Sequence, residues 1–418
     1  MSYLKQGQEA LLSMLGKPPG SKPEYRGAGP NLNQVEFLRY KPAKLSPRLE
    51  KSLAALRDKN NPMRKDMLKS IEAGLEVGED WYNSQELLDW FTTGYGPDEG
   101  LRQYHEFLDL IGAASPGSKV IPNIGNATAI REKLYTDPTY ADKARAVFTD
   151  AEGRALAKER APGYGHKTAG NQEMIVGRQL RGEFAGMPQP GVAPTKSSMV
   201  ENPKPKGFTA SLKGSHKNIA ADLHFTRYFG MASKDPDWLA TGGTEVGEAF
   251  MQELIKKYPK SKKYFEIKKN GKPGFNPKAA VVDGVVPIEE MEKSSIVWAQ
   301  MPRDREYGAM EDFMYELGQE LGLTGPQVQA SLWMGAARRT GVDPTSQTTF
   351  MGAMRDRAAT TAAKRGTTPE QVLFDMIMNK RAMALPFTGG AGVLGAMGMQ
   401  QPQPGQPESP LYYNLRAQ

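Results

Sequence analysis

"DEGLRQYHEFLDLIGAAS", Asp98–Ser115, carries Leu101, Tyr104, Leu108 and Ile111 at intervals of three and four. That period predicts one apolar face on an α-helix. The pattern stops at Ser115-Pro116-Gly117 and resumes in "NIGNATAIREKLY" with Ile124, Ala127, Ile130 and Leu134. Residues 79–150 therefore read as a helical core region. Upstream, "SPRLEKSLAALR" offers Ser46 as an N-cap and Pro47 at the first helical position, with Leu49, Leu53 and Leu56 on one face. "NPMRKDMLKSIEAGLEVG" repeats the pattern through Met63, Met67, Ile71 and Leu75. Asn83 and Glu86 have capping-box spacing.

The last third is helical again. Met310, Phe313, Met314, Leu317 and Leu321 fall on one face. Thr324 with Gln327, and Thr368 with Gln371, have the spacing of two further capping boxes. "MSYLKQGQEALLSMLG" reads as a short amphipathic helix and lacks the apolar run of a signal peptide. The one β signal is "AAVVDGVVPIEEM", read as a strand pair about Asp283-Gly284.

Between these elements the chain is irregular. Gly (44) and Pro (31) are together about 18% of 418 residues, against a usual ~12%. The expected organisation is an N-terminal arm (1–44) and a helical core (45–300) with a long irregular insertion at 150–205. A C-terminal helical region (301–385) and a low-complexity tail (386–418) follow. The fold class is mainly α, with long Gly/Pro-rich arms and loops and room for one small β-hairpin.

The chain has no cysteine, which excludes thiol nucleophiles, iron–sulfur clusters and cysteine zinc sites. Its four histidines are scattered, so no metal site and no cofactor are expected. No stretch reaches the ~18 apolar residues of a membrane span. The formal charge is +7 and the pI about 9.2, compatible with a polyanionic partner.

Eight lysines fall between Lys256 and Lys272: Lys256, Lys257, Lys260, Lys262, Lys263, Lys268, Lys269 and Lys272. Tyr258, Tyr264 and Phe265 are interleaved with them. Such a run suits a nucleic-acid backbone with stacked bases, or equally a solvated loop or hairpin tip.

"IAADLHFTRYFGM", Ile219–Met231, places Asp222 two residues before His224, with Arg227 a turn later. Asp222 fits an N-cap or a catalytic carboxylate, and His224 a packed side chain or a general base. Arg227 and Lys217 fit surface charges or phosphate contacts.

These elements together resemble the helix–hairpin–helix DNA glycosylase superfamily. They resemble more closely an uncharacterised family of phage and plasmid proteins related to it. The resemblance is carried by Trp81-Tyr82, by Ser115-Pro116 closing an apolar helix, and by Asn126 and Ala127. Lys204, Phe208, Leu212 and Gly214 continue it, followed by Asp222, His224 and Arg227 and by the later "GLTGPQVQASLW". It spans roughly 79–340, interrupted. It implies a glycosylase-like helical core, with Asp222 as the carboxylate that stabilises positive charge on the sugar of a flipped nucleotide. Lys204 or Lys206 is then the nearest amine.

The chain departs from that pattern in two places. "NPKPKGF" replaces the glycine-rich hairpin, and Pro116-Gly117 stands where a polar wedge enters DNA. Two readings follow. One is a DNA- or virion-associated phage protein whose scaffold binds or assembles without chemistry, in a virion or host cytoplasm. It contacts DNA, and contacts itself or other phage proteins through its arm and tail. The other is an active DNA glycosylase or lyase.

Overall fold

A computed structural model describes residues 3–17, 27, 29, 45–115, 120–136, 203–221, 223–268, 271–300, 302, 304–340 and 348–378. The insertion at 150–205 lies outside these residues up to residue 202, as do the tail at 386–418 and most of the N-terminal arm. The described chain is mainly helical, with one small antiparallel sheet.

Two units interleave along the sequence. The first comprises Met1–Leu38, Glu79–Ala220 and Thr345–Gln418, and the second Arg39–Gly78 and Ala221–Pro344. The linear reading divides the chain at 44, 300 and 385 instead. Pairings across more than a hundred residues define the units, and local periodicity carries no trace of them.

In the first unit, α1 (Tyr3–Leu15) packs on α4 (Gln85–Tyr95). Helices α5 (Pro97–Ala114) and α6 (Val120–Thr136) follow, and α7 (Pro203–Leu212) lies on α5. Helix α13 (Phe350–Arg365) closes on α6, and α14 (Pro369–Met378) on α13, α1 and α4. Tyr104, Leu108 and Ile111 of α5 are fully buried, as its period requires. Trp81 and Tyr82 meet edge to face and both pack against Phe208 of α7. The guanidinium of Arg131 is buried inside this unit, donating to the carbonyls of Met376 (2.7 Å) and Ile377 (3.0 Å).

In the second unit, α2 (Pro47–Arg57) packs on α8 (Leu223–Ser233). Helix α3 (Pro62–Gly78) packs on α12 (Gly325–Thr340), which also contacts α11 (Asp304–Leu321). Of the Met63–Leu75 stripe of α3 only Met67 and Ile71 are buried, and Met63 and Leu75 are half-exposed. The buried face also includes Ser70, Gly74 and Gly78, facing Ser331 and Gly335 of α12. A Cβ at Gly74 would lie 2.5 Å from the Gly335 nitrogen, and one at Gly335 would lie 2.6 Å from the Ser70 carbonyl carbon. The two backbones touch because no side chain stands between them.

A buried charge ties this unit together. The Arg48 guanidinium donates to Glu306 through Nε (2.9 Å) and Nη2 (2.6 Å) and to the Asp237 carbonyl (2.8 Å). It lies 4.0 Å over the Trp238 ring, and Ser46 also donates to Glu306. Such a pair adds little net stability but is costly to break, because the survivor stays buried and unpaired.

The capping boxes form in part. Ser46 accepts from Leu49 N–H with Pro47 at the first turn. Thr324 and Gln327 form a reciprocal box: Thr324 N–H donates to Oε1 (2.9 Å) and Gln327 N–H to Oγ1 (3.3 Å). Thr368 caps Gln371 N–H, but the Gln371 side chain donates to Asp375 instead. Asn83 accepts from Gln85 N–H, and Glu86 is drawn to Arg355 of α13 rather than back to the cap. Leu321 of α11 is exposed, because the helix ends as its apolar stripe leaves the core.

The strand pair expected about Asp283-Gly284 is absent. That stretch is α10 (Pro277–Val282) followed by 3₁₀ turns at Ile288–Lys293 and Ser295–Val297. Gly284 does take the left-handed conformation (φ 64°) that suggested a hairpin. Here it closes a helix: Val285 N–H reaches back to the Ala280 carbonyl, and a left-handed glycine serves a C-terminus as well as a turn. The sheet forms elsewhere, in the order β1 (Thr244–Glu245), β3 (Pro273–Phe275), β2 (Phe265–Ile267). Phe275 pairs with Thr244 on one side and with Phe265 on the other.

Candidate nucleic-acid interface

The lysine run occupies the end of α9 (Glu248–Lys257), a 3₁₀ turn at Pro259–Tyr264 and the β2–β3 hairpin, all in the second unit. Leu254 and the Ser261 hydroxyl are buried beneath it, and Phe250 and Phe265 pack on the fully buried Phe275. The segment is therefore a folded ridge with a small aromatic core.

Its lysines divide into two sets. Lys257 pairs with Glu290, Lys263 lies 3.8 Å from Asp283, and Lys272 lies 2.6 Å from Glu245. Glu290 also receives Lys293 at 2.9 Å. Its hydrogen bonds with Lys257 first, then Lys293, hold its carboxyl down to about 2. The bond to Glu290 pushes the Lys257 ammonium above its usual range, and that of Lys293 is raised by Glu253 first and Glu290 second. The second set makes no such pairs. Lys256, Lys260 and Lys262 are exposed and Lys268 half-exposed, and none has an acidic partner among the described residues. The stem of Lys268 lies across Gly274 of β3. Lys269 lies outside the described residues.

The aromatics of the run are already engaged. Phe265 stacks on Phe275 at 4.4 Å with 15° between the rings. The Tyr258 hydroxyl donates to Glu290 (3.1 Å) and that of Tyr264 to Asp283. They build the ridge, so base stacking on them would require taking it apart. What the ridge offers a polyanion is charge, suited to phosphates and indifferent to sequence.

The other sequence candidates lie apart from this ridge in the chain. Lys204 on α7 is half-buried and Lys217 follows α7, both in the first unit; Lys217 has further interactions of its own. Arg227 is half-buried on α8 and likewise engaged. Asp222 lies outside the described residues, as do the side chains of His224 on α8 and Lys206 on α7.

One polar group escaped the sequence reading. Lys213, just after α7, donates to Asp109 of α5 at 2.6 Å, and both are more than nine-tenths buried in the first unit. His105 stands one turn before Asp109. Burial first, and the Lys213 charge second, push its imidazole down to about 3. The available signal was Asp109 itself, an acid set among Phe107, Leu108, Leu110 and Ile111, all buried. A carboxylate in such surroundings needs a cation.

Among the described residues, no group of three or more His, Asp or Glu is arranged to hold a metal ion. No described helix is long and apolar enough to cross a membrane. Compared with protein-family models, with curated proteins and with solved structures, the chain has no match.

Proposed function

We propose that this chain is a DNA- or virion-associated phage protein that uses a catalytically degenerate, glycosylase-like helical scaffold for binding or assembly. The lysine ridge of the second unit is its DNA contact. The observation that carries the contact is the division of the run. The paired lysines fix the shape of the ridge, and Lys256, Lys260, Lys262 and Lys268 stay available for phosphate. The phage setting rests on the sequence resemblance alone. So does the loss of chemistry, which follows from the replaced hairpin and wedge.

The test compares wild type with the Lys256→Gln/Lys260→Gln/Lys262→Gln/Lys268→Gln variant on labelled duplex DNA. Lys256, Lys260 and Lys262 are exposed, and glutamine retains most of the stem that Lys268 lays across Gly274, so the variant keeps the fold. Binding that falls at least about tenfold supports the reading, since each lost phosphate contact removes a share of counterion release. Equal binding by both proteins removes the ridge from the account. Strand cleavage after alkali that vanishes in Asp222→Asn would establish the glycosylase reading in its place.

A further inference from the structure

The first unit contains a cleft of about 490 Å³ between α6, α13 and α14. Its size falls within the usual range for small-molecule sites, ~300–1,000 Å³. One wall is a stripe on α13: Arg357, Thr361 and Arg365 stand four residues apart and share a helix face. Neither arginine makes an ion pair or hydrogen bond among the described residues. This is unlike Arg102, Arg131 and Arg355 of the same unit, each of which is held by carboxylates, an amide or backbone carbonyls.

Two details show that the site is shaped rather than incidental. The Arg357 guanidinium lies flat against the backbone of α6 at Gly125, where a Cβ would stand 2.6 Å from its Nη2. Any larger residue at 125 would push it away. Arg131 also lines the cleft; it is 2% exposed, and its Nε–H has no acceptor. A buried donor left open in this way costs free energy unless a ligand fills it. The Thr361 hydroxyl adds a donor; that of Thr128 donates to the Ile124 carbonyl (2.8 Å) and can only accept.

The opposite chemistry is present too. Glu132 and Asp375 line the cleft, both already engaged, Asp375 by the Gln371 amide at 2.8 Å, with lone pairs to accept further bonds, and Val372 and Met376 give it an apolar wall. A bare inorganic anion would use the arginines alone and would meet those carboxylates at a disadvantage. A molecule with an anionic end and a hydroxyl- or amino-bearing body uses the whole lining.

We infer that this cleft binds a phosphate monoester of nucleotide size. The phosphate lies between Arg357 and Arg365, and its sugar hydroxyls or base amino group face Glu132 and Asp375. Guanidinium forks match phosphate oxygens in bidentate geometry, which is why arginine rather than lysine suits the anionic end. The site is separate from the lysine ridge and does not depend on it.

The experiment is isothermal titration of the full chain with AMP, adenosine and inorganic phosphate, on wild type, Arg357→Gln, Arg365→Gln and Gly125→Ala. Wild type is expected to bind AMP more tightly than phosphate, with adenosine giving no measurable heat. Each arginine variant should weaken AMP by about tenfold or more, the loss of one charge-assisted bond. Gly125→Ala should weaken it too, by displacing Arg357. Arg365 is exposed, so its variant keeps the fold and carries the test even if Arg357→Gln does not. The inference is overturned if AMP gives no heat at millimolar concentration. It is also overturned if adenosine binds as well as AMP, or if AMP binding is unchanged in Arg365→Gln.

Discussion

Replacing Gly335 with Ala separates two opposite expectations. In an ordinary exposed helix the change is favourable by ~1 kcal/mol, because alanine loses less backbone freedom than glycine. In this structure the new methyl would stand 2.6 Å from the Ser70 carbonyl carbon and 3.1 Å from the Gly74 nitrogen. Ordinary contact begins near 3.4 Å and the Ser70 carbonyl oxygen is nearer still, so α3 and α12 must part by more than about 1 Å, and every obstacle is backbone. Overpacking of this kind costs ~1–3 kcal/mol, and an obstacle that cannot rotate away puts it at the upper end. Set against the propensity gain, the net loss is about 2 kcal/mol. The assay is urea unfolding at constant m, with amide exchange across α3 and α12 to localise the loss. Gly74→Ala, which meets the same interface from the other side, should cost a similar amount. The double variant should cost less than the sum, because the first separation makes room for the second. A Gly335→Ala protein that is as stable as wild type, or more so, would refute the close approach of the two helices.

Glu306→Gln should destabilise the second unit by about 3–5 kcal/mol, read as a shift in urea midpoint, since it leaves the buried Arg48 guanidinium without its carboxylate. His105 is held near 3 when folded, against 6.5 when free, so its protonation favours the unfolded chain. Its contribution is complete above about 6.5 and is lost as pH falls toward 3, at up to about 1.4 kcal/mol per pH unit. His105→Gln should flatten the stability profile between pH 6.5 and 5, and an unchanged slope there would contradict the burial of the ring. Glu290 is depressed to about 2 from 4.5, so its contribution is full above 4.5 and lost as pH falls through 2. Protection of the amides in the 3₁₀ turn at Ile288–Lys293, taken relative to their intrinsic exchange rate, should fall across that window in wild type and stay constant in Glu290→Gln.

Much of the helical architecture was legible because helices are local objects. The period of α5 and the cap of α2 lie within a few residues of one another, and so does the Thr324–Gln327 box. Where a side chain found a distant partner, local reading failed. Glu86 has the right spacing for a capping box but pairs with Arg355, 269 residues away. "AAVVDGVV" has β-branched residues and a turn glycine, yet that glycine closes a helix. The lysine run was visible from composition. Which of its charges are neutralised depends on Glu245, Asp283 and Glu290, brought in by the fold. The Lys213–Asp109 pair and the cleft at Arg357 belong to the same category. They depend on packing between segments about a hundred or more residues apart, as does the interleaving of the two units.

The central claim is that the ridge binds DNA through charge alone. The most direct measurement is the affinity of wild type for one duplex between 50 and 200 mM salt, repeated on a second duplex of unrelated sequence. Four phosphate contacts predict a log–log slope of about −3.6 and a loss of roughly 150-fold across that range, the same for both sequences. A slope near zero, or no binding at 50 mM salt, would contradict it.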